Sequence, residues 1–141
     1  MDTLKIDSSM KKMLVTGVIF IIVSIVLGAF GAHALKSHLS ADRLASFETG
    51  VKYQMYHGLG LLLLAILTKH IQLSWERIRI VLTIGVLFFS GSIYLLALQP
   101  LLGVKYGAFI GPITPIGGLF LMIGWGLLLK GLLTTKTWIQ D

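Results

Sequence analysis

The chain lacks cysteine and has few acidic residues: its 141 residues include no Cys, and only 6 Asp and Glu against 12 Lys and Arg. Without cysteine, disulfides and thiol chemistry are excluded. Proline is scarce as well, and none occurs before Pro100, so no proline interrupts a helix in the long stretch before it. Charged residues make up 13% of the chain, well below the ~25% usual in soluble domains. A water-soluble fold is therefore not expected.

Long apolar runs fill the sequence instead. Hydrophobic residues make up 55% of the chain, and the mean hydropathy is +0.87. Each apolar run approaches or exceeds the ~20 residues that an α-helix needs to cross the hydrocarbon core. Four runs contain no Asp, Glu, Lys or Arg: 13–35, 53–68, 80–104 and 106–129. The sequence therefore predicts an all-α integral membrane bundle of four transmembrane helices.

The apolar runs, together with candidate caps and prolines, predict the domain bounds. A flexible N-terminal tail over 1–9 and a C-terminal tail over 135–141 are expected to flank one transmembrane domain, 10–134. The third helix is expected to end before Pro100, because the residue before a proline disfavours helical geometry. The predicted helices lie at about 10–35, 41–69, 78–98 and 107–133.

The second predicted helix is longer than a single crossing requires. Ser40 is a good N-cap, and no proline follows within the predicted helix. Its first turns place Leu44, Phe47 and Val51 at helical spacing among polar residues. This pattern predicts an amphipathic interfacial segment before the second crossing.

The stretch Gly107–Gly118, GAFIGPITPIGG, has two interpretations. Thr114 as N-cap and Pro115 at the first helical position would start a helix after an apolar loop. Alternatively, a helix starts near Lys105 and kinks at Pro112 or Pro115. The functional interpretation of the stretch is a broken helix that lines a cavity. The capped helix start is the favoured interpretation.

Most polar groups near the membrane lie in the first connection and the start of the second span. Ionisable groups inside a membrane are costly, so each is a functional candidate. One interpretation is a proton-responsive or ligand-binding site, and the other, which we favour, is hydrogen bonding between helices. The candidate polar cluster consists of His33, Glu48, Tyr53, Gln54 and His57. Its spacing matches no metal-ligand motif, so we predict neither a metal nor a cofactor.

Small and hydroxylated residues form a second group of candidates. Such residues let membrane helices approach closely, and near prolines they also occur in broken helices. The candidate helix-packing or broken-helix residues are Gly28, Gly31, Ser90, Gly91, Ser92, Thr114, Pro115, Gly117 and Gly118. No nucleophile elbow, phosphate-binding loop or zinc-protease motif occurs in the sequence, so an enzyme is not expected.

Basic residues flank the apolar runs, where they suit anionic lipid headgroups rather than nucleic acid. Eight Lys and Arg lie near the N-terminus, near the C-terminus or around the middle connection, and four lie on the other side. The positive-inside rule therefore predicts cytoplasmic N- and C-termini. The first run follows Lys11 and Lys12 like a secretory signal, but its length favours a retained helix over a cleaved one.

These stretches resemble the YgdD/YwdK family of small uncharacterised four-helix membrane proteins. The resemblance covers nearly the whole chain after residue 12, and it rests on motifs that are specific in combination. The matching segments are Gly28–Leu35, Phe47, Tyr53–Gln54, His57, Phe89–Tyr94, Thr114–Gly118 and Trp125. It implies a bacterial cytoplasmic membrane location and a four-helix bundle, and it brings no established activity.

The function expected from the sequence is that of a non-enzymatic accessory or structural membrane protein. Its partners are the lipid bilayer and either a second copy of the chain or another membrane protein, because four short glycine-rich helices enclose little volume. The alternative is a small channel or carrier for a proton, cation or small solute that uses the cluster around His57.

Overall fold

The computed structural model describes residues 7–105 and 107–135, and this part of the chain is helical. The helices are α1 (Ser8–Phe30), which continues as a π-helical turn (Gly31–Leu35), α2 (Ala41–Leu67), α3 (Trp75–Leu102), α4 (Gly107–Ile110) and α5 (Ile113–Thr134). Most of the predicted N-terminal tail and all but the first residue of the predicted C-terminal tail lie outside the described residues.

The four long helices pack in chain order. α1 packs on α2, α2 on α3, and α3 on α5, while α1 meets α3 only briefly. α2 and α3 are therefore central, and α1 and α5 form the flanks. The larger core includes Met13, Leu61 and Leu82, and a smaller one forms around Phe47 at the end that carries the π-helical turn.

Three helical stretches in the described chain are long and apolar enough to cross a membrane: Ser8–Leu35, Trp75–Leu102 and Gly107–Thr134. α2 does not join them, although its 27 residues would span about 40 Å. Its first half carries Asp42, Arg43, Glu48 and Lys52, which lower its hydropathy. Three apolar helices are therefore established, and the predicted fourth crossing depends on α2.

The start of α2 combines a buried and an exposed face, as the sequence predicts for an amphipathic segment. Phe47 is fully buried, whereas Asp42 and Glu48 are exposed. Ser40 occupies the N-cap position, but its hydroxyl makes no capping hydrogen bond. This segment is continuous with the rest of α2.

Glycines allow the closest helix contacts. A Cβ added to Gly117 in α5 would overlap the main chain of Phe89 in α3. On the other side of the molecule, a Cβ on Gly17 would lie 2.8 Å from the carbonyl oxygen of Gly58, where α1 meets α2. Since side chains cannot occupy these points, glycine sets the distance between the paired helices.

α3 does not end before Pro100 but continues to Leu102, and Gly103 ends it in the left-handed conformation. Pro100 has no N–H, so the carbonyl of Leu96 loses its helical donor. Arg43 replaces that donor: its Nη1 donates to the Leu96 oxygen at 2.7 Å. A side chain from α2 thus compensates for the proline in α3.

The segment before α5 contains one helical turn, α4, followed by a break at Gly111 and Pro112. α5 then begins at Ile113, so Thr114 lies inside its first turn instead of capping it. The Thr114 hydroxyl is paired with the Ser92 hydroxyl of α3 at 2.7 Å. The arrangement is closer to the kinked-helix interpretation than to a long apolar loop.

Candidate functional site

His57 lies on the buried side of α2 and is 8% exposed. Its Nε2 accepts a hydrogen bond from Trp125 Nε1 of α5 at 3.1 Å, and its Nδ1 lies 2.7 Å from the carbonyl oxygen of Tyr53. Indole nitrogen only donates, so Nε2 must be the acceptor. The proton is therefore on Nδ1, which donates to the carbonyl, and the neutral imidazole has both nitrogens paired.

Tyr53 lies one turn before His57 and is 41% exposed. Its ring stacks near the His57 ring, with centroids 6.3 Å apart, and lies 4.7 Å from the ring of Phe89. Tyr53 and His57 thus contribute one aromatic wall on α2.

Gln54 points into a different contact, between α1, α2 and α3. Its Nε2 donates to the carbonyl oxygen of Phe20 at 3.1 Å, and its Oε1 accepts from the Tyr94 hydroxyl at 3.0 Å. One turn earlier, the Ser90 hydroxyl donates to the carbonyl oxygen of Gly50 at 2.8 Å. These bonds join three helices.

Ser24 lies near this network but takes no part in it. Its hydroxyl is buried and has no hydrogen-bond partner in the described part of the chain. The carbonyl four residues earlier, that of Phe20, is the usual acceptor for a helical serine, and it already accepts from Gln54. No sequence pattern predicts this unpaired hydroxyl.

The remaining members of the predicted polar cluster lie apart from His57. His33 and Glu48 are both exposed, and within residues 7–105 and 107–135 neither side chain has a hydrogen-bond or ion-pair partner. Glu48 lies nine residues before His57, about 13 Å along the helix. The structure therefore separates the five residues. His57 contacts α5, and Tyr53 packs beside it. Gln54 contacts α1 and α3, whereas His33 and Glu48 are exposed.

A groove runs along α5 beside the His57–Trp125 pair, and we call it the α2–α5 groove. Tyr53 and His57 of α2 form one wall, Phe89 of α3 lies at its floor, and α5 contributes residues from Pro115 to Leu129. Its volume is about 870 Å³, and it is open along one side. Its surface is almost wholly apolar, because the polar atoms of His57 face Trp125 and the Tyr53 carbonyl.

The predicted packing residues divide between contacts and open surface. Gly28 faces Val51, and Gly31 lies against the ring of Phe47. Ser92 also bonds the Phe89 carbonyl, and Gly117 meets the Phe89 main chain. Pro115 and Gly118 line the α2–α5 groove, and a Cβ on Gly91 would meet nothing within 4 Å.

The structure also bears on metal binding. In the described ranges, no group of three His, Cys, Asp or Glu side chains is placed to hold a metal ion. Sequence reasoning missed Trp125 as the partner of His57. A buried indole N–H usually needs a hydrogen-bond acceptor, so Trp125 inside an apolar run indicates that an acceptor lies nearby. The sequence does not indicate which residue that is, because His57 lies 68 residues away.

Comparison with known proteins identifies the family. A family model described as "Protein of unknown function (DUF423)" matches residues 27–118. The chain is 42% identical over 122 residues to the UPF0382 membrane protein SSP2132 of Staphylococcus saprophyticus, which covers 86% of this chain and 97% of that protein. It is 37% identical over 123 residues to the UPF0382 inner membrane protein YgdD of Escherichia coli K12, with 86% of each chain covered. No solved structure matches the chain. The predicted resemblance to the YgdD group is thereby confirmed, and the chain belongs to the DUF423/UPF0382 family of membrane proteins.

Proposed function

We propose that the protein is a non-enzymatic structural or accessory membrane protein, and that it acts by packing with a second copy of itself through the α2–α5 groove. The observation that carries this proposal is the groove itself. It is concave and apolar, has a volume of about 870 Å³, and is open along one side between α2 and α5. Apolar surface gains nothing by leaving lipid, so association depends on close packing between helices. A concave helix surface with glycines supports such packing.

Glycines on the groove wall make close packing of a second α5 feasible. A Cβ on Gly126 would meet nothing within 4 Å, and one on Gly118 would make only ordinary contacts. Met122 lies between them and is 67% exposed. Helical side chains lean toward the N-terminus, so Met122 of one copy would reach the level of Gly118 in a two-fold partner.

The paired state of His57 supports this function over the channel or carrier alternative. A proton or cation pathway needs polar groups that face a water-filled route. Here the imidazole nitrogens bond Trp125 and the Tyr53 carbonyl. His57 instead holds α2 and α5 together beside the groove.

The test is self-association of the labelled protein in liposomes, measured by single-molecule photobleaching over a range of lipid dilutions. Gly126→Leu adds a side chain to the groove at a position where a Cβ meets nothing within 4 Å, so the association constant should fall by about tenfold or more. The control is Val26→Phe, which enlarges a lipid-facing side chain of α1, and its association should be unchanged. A wild-type chain that stays monomeric at every dilution would contradict the proposal.

Four crossings, with both termini in the cytoplasm of a bacterial cell, are part of this proposal. The burial of one side of α2 between α1 and α3 supports a fourth crossing. Because the chain has no cysteine, single cysteines can report its topology. Ser37→Cys should react with an impermeant maleimide in intact cells, and Gln72→Cys only after permeabilisation. Equal labelling of both would mean that α2 does not cross.

A further inference from the structure

A small pocket lies where the C-terminal end of α3 meets the start of α2, and we call it the cation pocket. Its volume is about 400 Å³, and it is lined by Arg43, Gln99, Pro100, Gly103, Val104 and Lys105. Two of these six residues are cations, and none is acidic. The pocket is therefore suited to an anion.

Arg43 brings a positive charge into this pocket, and no carboxylate among the described residues neutralises that charge. Its side chain is half-buried, and its observed hydrogen bond goes to the uncharged Leu96 carbonyl. Across residues 7–105 and 107–135, neither Arg43 nor Lys105 has a carboxylate within 4.0 Å. A guanidinium retains further N–H donors after one hydrogen bond, and their geometry suits phosphate oxygens.

Arg79, a half-buried arginine at the opposite end of the bundle, does have a carboxylate partner. There Glu76 accepts from Arg79 at 2.8 Å and lies 3.4 Å from Lys12, so one carboxylate serves both cations. Arg43 is thus a half-buried arginine that has no carboxylate partner among the described residues.

An apolar groove of about 440 Å³ follows α3 away from the cation pocket, and we call it the α3–α4 groove. It is lined by α3 from Leu87 to Leu95 together with Ile110 of α4 and Ile113 of α5. Leu87, Gly91 and Leu95 recur every four residues, and Gln99 of the cation pocket continues the series. The cation pocket therefore begins one helical turn beyond the end of the groove along α3.

The dimensions of the two cavities match one leaflet. Residues 87 to 99 cover about 18 Å along α3, and half of the hydrocarbon core is about 15 Å. The groove floor is open at Gly91, where a Cβ would meet nothing within 4 Å. There is therefore room for an extended hydrocarbon chain below the cations.

We propose that the cation pocket and the α3–α4 groove together form a binding site for one anionic glycerophospholipid. The phosphate lies between Arg43 and Lys105, and an acyl chain follows α3 from Leu95 to Leu87. Free phosphate would use the cations but not the groove, and a protein helix would use the groove but leave the cations unpaired. A phospholipid uses both. This site is separate from the α2–α5 groove, so it stands independently of self-association.

The test is native mass spectrometry of the detergent-purified protein, titrated with phosphatidylglycerol or with phosphatidylcholine of the same acyl chains. Both lipids carry the same phosphodiester, but the trimethylammonium group of phosphatidylcholine repels Arg43 and Lys105. Phosphatidylglycerol should therefore bind about fivefold more tightly, as expected for a difference of one unit charge near a membrane surface. Lys105→Gln should lower phosphatidylglycerol affinity by about fivefold. The matched control is Lys52→Gln, an exposed cation of α2 outside the pocket, and its affinity should equal that of the wild type.

Two further measurements distinguish a bound phospholipid from bound free phosphate. Gly91→Leu fills the open groove floor and should weaken phosphatidylglycerol binding while leaving the cations in place. Inorganic phosphate at millimolar concentration should not displace the lipid. Equal affinity for both lipids, an unaffected Lys105→Gln or Gly91→Leu variant, or displacement by inorganic phosphate would each overturn the proposal.

Discussion

The α2–α5 groove and the α3–α4 groove border the same central helix, but they differ in how their polar groups are paired. Beside the α2–α5 groove, His57 and Trp125 satisfy each other inside the protein. At the end of the α3–α4 groove, Arg43 and Lys105 have no carboxylate partner in the described chain. A groove with internally paired polar groups offers only shape, which suits another helix, whereas unpaired cations also offer charge, which suits a lipid phosphate.

The contact between α3 and α5 separates the two grooves, and breaking it should have the largest effect. Gly117→Ala would force a Cβ into the Phe89 main chain, so the helices must move apart. We expect a loss of about 3 kcal/mol in unfolding free energy, at the upper end for overpacked sites. An SDS unfolding titration in mixed micelles measures this loss. Gly126→Ala, whose Cβ meets nothing within 4 Å, is the control and should lose no stability.

The next effect concerns the proline that defines the cation pocket. Arg43→Gln removes the donor to the Leu96 carbonyl and should cost about 1.5 kcal/mol, a typical value for a hydrogen bond to a charged group. Pro100→Ala restores a backbone N–H for that carbonyl. In the Pro100→Ala background, Arg43→Gln should therefore cost less than half as much in the same unfolding assay. Equal costs in both backgrounds would mean that Arg43 does not compensate for the proline.

A smaller effect is expected beside the α2–α5 groove. Trp125→Phe keeps an aromatic ring but removes the donor to His57 Nε2. A double-mutant cycle with His57→Leu should give a coupling free energy of about 1 kcal/mol, since hydrogen bonds between membrane helices are individually modest. A coupling free energy near zero would show that the pair does not hold α2 against α5.

Sequence patterns predicted the parts of the fold that depend on local composition. Charge-free runs located the three apolar helices, and Ser40 marked the start of α2. The sequence did not reveal which helices pair, because Arg43 meets Leu96 across 53 residues and His57 meets Trp125 across 68. Contacts over such separations leave no periodic signal in one sequence.

Ser24, Gly28 and Ala32 are small residues that recur every four positions in the sequence, a spacing typical of contacts between membrane helices, and this stripe shows a second limit. Ser24 is buried, Gly28 is half-buried and Ala32 is exposed. A spacing of four advances about 40° beyond a full turn at each step, so the stripe rotates out of the contact after two steps. Gly31 and Leu35, at spacings of seven and eleven from Ser24, are buried instead. The spacing of small residues therefore identifies the buried face of α1 at Ser24 but not at Ala32.

The smallest expected effect tests whether an unpaired polar group is enough to mark a site. Ser24 is 1% exposed and its hydroxyl has no partner within the described chain, yet it lines none of the three cavities discussed above. Ser24→Ala removes a polar atom that gains nothing from the fold, so unfolding free energy should stay within about 0.5 kcal/mol or rise.

Ser90→Ala is the matched comparison, because the Ser90 hydroxyl is equally buried but bonds the Gly50 carbonyl. Its loss should cost about 1 kcal/mol in the same titration. If Ser24→Ala were the more costly of the two, Ser24 would have a partner such as a bound water. If Ser24→Ala costs less than Ser90→Ala, as expected, a polar group without a hydrogen-bond partner indicates a ligand site only where it also lines a cavity. The cations of the cation pocket meet that condition.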